Sequence, residues 1–213
     1  MTLIDLTGTI EPGMWHYAHV PAVEIEQVAS IEANGSEAHA FRLATISGTY
    51  LETAAHYFHD RPTIDQVPPE RLIGEAVVLH VAEKGPAQAV TAEDLQQAAG
   101  GVEIRRGDAL LLATGWERMW NTPNFVADSP YLTMDAMRWA VAHGISILGG
   151  DIPCFDNPRH GAGVNGVLFE SGALILAPLV NLGAVRKRRV RLMVFPLKIR
   201  GVCGSPCRAI VEE

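Results

Sequence analysis

The chain has 213 residues, of which 48% are hydrophobic and 19% charged, a globular balance that excludes disorder over most of its length. A formal net charge of −7 argues against nucleic acid as a partner, because phosphate binding needs a positive footprint. No apolar run reaches the roughly 18 residues of a membrane span and the N-terminus has no basic start, so neither a membrane partner nor a signal peptide is expected.

Taken in chain order, residues 3–6 are expected as a short strand ending at Thr7-Gly8, followed by a turn at Pro12-Gly13. Residues 23–31 and 39–46 alternate as strands, with Asn34-Gly35 between them as a hairpin signal. Residues 72–81 form an apolar run of strand length. Thr91-Ala-Glu-Asp94 reads as a capping box that opens a helix stopping at Gly100-Gly101. Residues 109–114 read as a buried strand, Thr133 opens a helix that ends at Gly144, and residues 145–149 are a further buried strand with Asp151 just past its end. Residues 174–179 and 192–197 complete the strong strands. The stretch 117–131 reads as a surface loop or lid. The basic run Arg186, Lys187, Arg188, Arg189 and Arg191 reads as a solvated turn and strand edge. Strands dominate first and then alternate with helices. The expectation is an α/β fold, a mixed sheet with flanking helices, in one domain over 1–213, with residues 1–20 as an N-terminal arm.

The segment Ile46-Ser-Gly-Thr-Tyr-Leu-Glu-Thr-Ala-Ala-His56 carries the chemistry. Extended, it places Tyr50, Glu52 and His56 on one face. An imidazole with a reference pKa near 6.5 shuttles protons at neutral pH, so His56 is the expected acid–base residue. Glu52 is its expected partner, and Tyr50 a donor to a developing oxyanion. Residues 52 and 56 of a straight strand lie about 13 Å apart, so contact requires a bend at 54–55, and a nearby carboxylate is then expected to raise the imidazole pKa. Trp15, His16, Tyr17 and His19 follow a turn and can wall a pocket. Cys154 lies just after a strand end, where sites in α/β folds form. Three cysteines, Cys154, Cys203 and Cys207, are odd in number and not spaced as a zinc site, which fits reduced thiols in a cytoplasm.

The same segment resembles the signature His-x-Gly-Thr-His-x-Asp-x-Pro-x-His of the cyclase family, metal-dependent hydrolases that include bacterial kynurenine formamidase and isatin hydrolase. Gly48, Thr49 and His56 match, and Glu52 stands at the aspartate. Ile4-Asp-Leu-Thr7, Thr63-Ile-Asp65, Thr114-Gly-Trp116, Gly149-Gly-Asp-Ile-Pro-Cys-Phe-Asp156, Pro196-Leu-Lys-Ile199 and Gly204-Ser-Pro-Cys-Arg208 extend the resemblance over almost the whole chain. It implies the family's swivelling β/β/α architecture, a homodimer or higher homo-oligomer, and hydrolysis of a small amide, lactone or cyclic imide. It also implies a substrate site that takes in Thr49, Trp15, His16, His19, Cys154 and Asn165, with the N-terminal segment at its mouth. The metal positions have changed: Ile46 and Tyr50 replace two histidines, Asn165 a third, and Ala177 a carboxylate. No cofactor is therefore expected, the family's zinc or manganese site having lost its donors, with His59 and His160 as the remaining sources of displaced ligands. Three functions follow: a hydrolase with a remodelled, metal-free site using His56 and Glu52, a metal-independent lyase, dehydratase or cyclase, or a non-catalytic binder.

Overall fold

A computed structural model describes all 213 residues. Its elements in chain order are β1 (Leu3–Asp5), β2 (Glu24–Ala29), α1 (Ile31–Asn34), β3 (Ala38–Arg42), β4 (Tyr50–Glu52), β5 (Ile73–His80), β6 (Ala89–Val90), α2 (Ala92–Ala99), β7 (Ala109–Ala113), β8 (Tyr131–Leu132), α3 (Met134–Ala142), β9 (Ile147–Gly150), α4 (Val164–Glu170), β10 (Leu174–Ala177), β11 (Arg189–Pro196) and β12 (Gly204–Glu212). Eight of the strands form one mixed sheet in the order β1-β12-β11-β5-β7-β9-β10-β4. Strands β5, β7, β9 and β10 run parallel, and the remaining pairs are antiparallel. β4 also pairs with the start of β12, Gly204 opposite Glu52, so the sheet closes on itself into a barrel.

Period-2 alternation explains the two cores. Val77 and Leu79 of β5, Leu110 and Leu112 of β7, and Ile175 and Ala177 of β10 point outward to α2, α3 and α4. Their neighbours Ala76, Val78, Leu111, Leu174 and Leu176 fill the barrel interior. Both faces of these strands are covered, as buried parallel strands require. In β4 the same alternation sends Leu51 inward and Tyr50 to the helical side, and residue 52 shares the face of residue 50.

The expected α/β architecture with a mixed sheet and flanking helices is the one observed. Several boundaries differ. The strand expected over 23–31 stops at Ala29, because Ser30 accepts from Ala33 N and caps α1, with Gly35 left-handed at its end. The strand expected over 39–46 stops at Arg42. β2 and β3 pair only with each other, as a ribbon off the main sheet. Residues 1–20 lie against the body: β1 joins β12, and Trp15 packs on Trp120 and Phe125 with ring centroids 5.4 and 5.1 Å away. The 117–131 stretch is pinned by fully buried Phe125, whose carbonyl accepts from Trp116 Nε1 at 2.9 Å. In the basic run, Arg189 pairs with Asp108 at 2.7 Å and Arg188 donates to the carbonyls of Ala98 and Ala99 at the end of α2.

Candidate active site

Two glycines shape the approach to β4. Gly48 has φ +65°, and a Cβ there would lie 2.5 Å from the Ile10 side chain; only glycine enters this left-handed, crowded turn without strain. Gly8 lies under the Trp120 ring, 2.1 Å from where its Cβ would be. Between them, fully buried Thr49 accepts from Gly8 N at 3.0 Å and donates to Pro178 O at 2.6 Å. Its hydroxyl is thus committed to the scaffold and has no proton left for a substrate.

After Glu52 the chain leaves the extended form. Thr53 caps a 3₁₀ turn over Ala54–His56, which supplies the bend and brings His56 back over Glu52. His56 Nδ1 lies 3.1 Å from Glu52 Oε1. The pair lacks the alignment of a hydrogen bond, and Oε1 is buried with no hydrogen-bond partner. The Glu52 side chain is 5% exposed and that of His56 36%. Burial pushes the Glu52 carboxyl up to about 8. It lowers His56, with a further push from His19. The expected rise in the imidazole pKa is therefore not found: a neutral carboxyl gives the imidazolium no support, and desolvation decides the sign.

The third member of the cluster was not anticipated. Cys203 Sγ lies 3.5 Å from His56 Nδ1, and the donor atoms of Glu52, His56 and Cys203 lie within 4.8 Å of one another. Cys203 is held there by Thr53, whose amide and hydroxyl both donate to the Cys203 carbonyl, at 2.8 and 3.0 Å. Burial pushes its thiol up. No local sequence signal marks this cysteine; its meeting with His56 depends on the β4–β12 register.

Tyr50 shares the face but not the cluster. Its hydroxyl donates to Pro153 O at 3.2 Å and lies 3.0 Å from that of Tyr17, which donates to the same carbonyl at 2.6 Å. Burial drives both phenols well above their ordinary range. Asn165, on α4, donates to Cys154 Sγ at 3.4 Å, and its Oδ1 is buried without a partner. Trp15, exposed His16 and His19, and Cys154 line a pocket of 790 Å³, closed on the far side by Asn121, Val126 and neighbours. Tyr50, Glu52 and His56, which share one face, are not in its wall; Tyr17, which is, lies with its hydroxyl 3.0 Å from that of Tyr50. His59 and His160 are exposed and belong to neither group.

Of the positions that the resemblance gives to the family's metal, Ile46 and Ala177 carry no side-chain donor atom, and the Tyr50 hydroxyl is engaged by Pro153 O and the Tyr17 hydroxyl. The expectation of no cofactor nevertheless meets a carboxylate oxygen, an imidazole nitrogen and a sulfur gathered at Glu52, His56 and Cys203, a donor set suited to a divalent cation such as zinc.

Comparison with known proteins gives a consistent picture. The family model described as "Putative cyclase" matches residues 4–157. Kynurenine formamidase of Salinibacter ruber (strain DSM 13855 / M31) is 26% identical over 221 residues, covering 100% of this chain and 98% of the relative. An isatin hydrolase solved with the product analogue thioisatinate superposes with a TM-score of 0.90 at 23% identity, over 98% of this chain and 91% of that one. A structure described as a potential metal-dependent hydrolase with cyclase activity gives 0.81 at 20% identity, over 99% and 96%.

Proposed function

We propose, on the premise that this chain belongs to the cyclase family, that it hydrolyses a small amide, lactone or cyclic imide at the cluster of Glu52, His56 and Cys203. The observation that carries the reading is a buried carboxyl without a hydrogen-bond partner, 3.1 Å from a half-exposed imidazole. The aromatic-walled pocket lined by Trp15, Tyr17 and Cys154 supports a small carbonyl compound with an apolar body. Three free cysteines support a reducing, cytoplasmic setting.

The proton chemistry follows from the two pKa directions. With the carboxyl at about 8, Glu52 carries its own proton at neutral pH and acts, beside the imidazole, as a proton donor toward a carbonyl oxygen or leaving group. Above that value Glu52 is a carboxylate 3.1 Å from Nδ1, whose charge favours the imidazole tautomer with its proton on Nδ1. Nε2 then carries the lone pair and takes the proton of an attacking water. A divalent cation, when bound, supplies polarisation of the carbonyl and a water of low pKa; Glu52, His56 and Cys203 are the residues that would hold it.

The test is a panel of aryl formamides, lactones and cyclic imides, followed by acid release from the metal-stripped chain. Turnover is expected to rise with pH toward about 8, and His56→Ala to lose about 10²–10⁴-fold. His56→Ala within a few-fold of the parent would move the chemistry elsewhere. Turnover without consumption of water would make the protein an acid–base lyase.

A further inference from the structure

We propose that Glu52, His56 and Cys203 form a binding site for a thiophilic divalent cation of the zinc class, a ligand set that shares only position 52 with the metal positions the family resemblance implies. In a relay of nucleophile, imidazole and carboxylate, the thiol and the carboxylate occupy opposite ring nitrogens. Here Sγ and Oε1 both lie against Nδ1, at 3.5 and 3.1 Å. Three donor atoms thus face one another around a common point, an arrangement that serves a cation better than a proton relay.

Spacing and chemistry agree. Ligand atoms around a tetrahedral zinc with bonds of about 2.0–2.3 Å stand roughly 3.3–3.8 Å apart, close to the two distances from Nδ1, 3.1 and 3.5 Å, with all three atoms within 4.8 Å of one another. Oxygen, nitrogen and sulfur together select zinc-class ions over magnesium, calcium or manganese, which prefer oxygen alone. An independent observation is Oε1 itself, on a side chain 5% exposed, turned toward the other two donors and without any hydrogen-bond partner. Such a buried acceptor is rare without a reason, and a bound cation is one.

The scaffold also fixes the three donors before any ligand arrives. Glu52 ends β4, His56 ends the 3₁₀ turn, and Cys203 is tied to the intervening Thr53 by two hydrogen bonds to its carbonyl. Preorganisation of this kind leaves little ordering to be done on binding.

The experiment is a titration of the reduced, metal-stripped chain with cobalt(II), followed by displacement with zinc(II). One cobalt per chain is expected, with a thiolate-to-cobalt charge-transfer band in the near ultraviolet, and zinc is expected to raise the melting temperature. Cys203→Ser should lose the band and Cys154→Ser should keep it. Cys203→His should bind cobalt without the sulfur band, which guards against a variant that merely fails to fold. Absence of stoichiometric binding by the parent, or a band that survives Cys203→Ser or vanishes in Cys154→Ser, would overturn the proposal. The hydrolase reading is judged separately. A stripped chain that turns over substrate and binds no cobalt removes the cation site alone, and one that binds cobalt but hydrolyses nothing removes the hydrolase alone.

Discussion

Glu52 is a carboxyl group folded into a place where its charge has little support, and this has a price in stability with a definite sign. Unfolded, it titrates near 4.5, and folded, burial pushes it up to about 8. Between those values the native state keeps a proton that the unfolded chain has released. The stability contributed is complete below pH 4.5 and is lost as pH rises to about 8, at up to about 1.4 kcal/mol per pH unit for one proton. In metal-stripped protein, Glu52→Gln should flatten that decline, as urea denaturation at several pH values would show; parallel curves for parent and variant would refute it. Thr49 makes a different residue-scale point. Its match to the family signature suggested substrate contact, yet its hydroxyl joins Gly8 N to Pro178 O in a fully buried position. Thr49→Val should cost about 1–3 kcal/mol, a fall of several degrees in Tm at this chain length, measurable by calorimetry. The sequence singled out Glu52 and His56 because they sit four apart in one strongly patterned segment. It was silent on Cys203, whose partner is 147 residues away.

Elements read well where a local pattern carried them and poorly where tertiary context did. β5 and β7 are apolar runs of strand length, and α2 has a capping box, with Asp94 receiving from Thr91 N at 2.8 Å and Thr91 receiving from Asp94 N at 3.2 Å. By contrast, α4 went unread. It follows Gly163 and has no capping side chain of its own. Its cap comes from outside: the Asp156 carboxylate accepts from the amides of Ala162, Gly163 and Val164 at 2.7, 2.8 and 3.1 Å. Asp156→Ala leaves those amides without their acceptor and should cost about 1–3 kcal/mol. It should also loosen Asn165 and Phe169, visible as faster amide exchange confined to residues 162–170; unchanged exchange there would show that the helix needs no external cap. β12 was missed for a related reason. Its residues Gly204-Ser-Pro-Cys look like a turn, and it becomes a strand because β4, β11 and β1 all pair with it.

Over the whole molecule, the β2–β3 ribbon is the part with least support. It joins no other strand, and Ile25 and its cross-strand partner Phe41 are 45% and 63% exposed. An isolated two-stranded ribbon is marginal in water, so we propose that a second copy of the chain covers it. Sedimentation should find a dimer for the parent and a monomer for the Ile25→Asp, Phe41→Asp variant; a parent that stays monomeric at high concentration would end that proposal. The closed sheet has another consequence, in time rather than space. A chain leaves the ribosome N-terminus first, at about 5–20 residues per second, and β1 and β4 must wait for β12, made some 150 residues or more afterwards. Until then both carry unpaired edges, and Glu52 and His56 lack Cys203. Assembly of the reacting centre is therefore a late event of biosynthesis: nascent chains stalled before residue 203 should show a protease-sensitive β4 region, and chains extended past residue 212 should not.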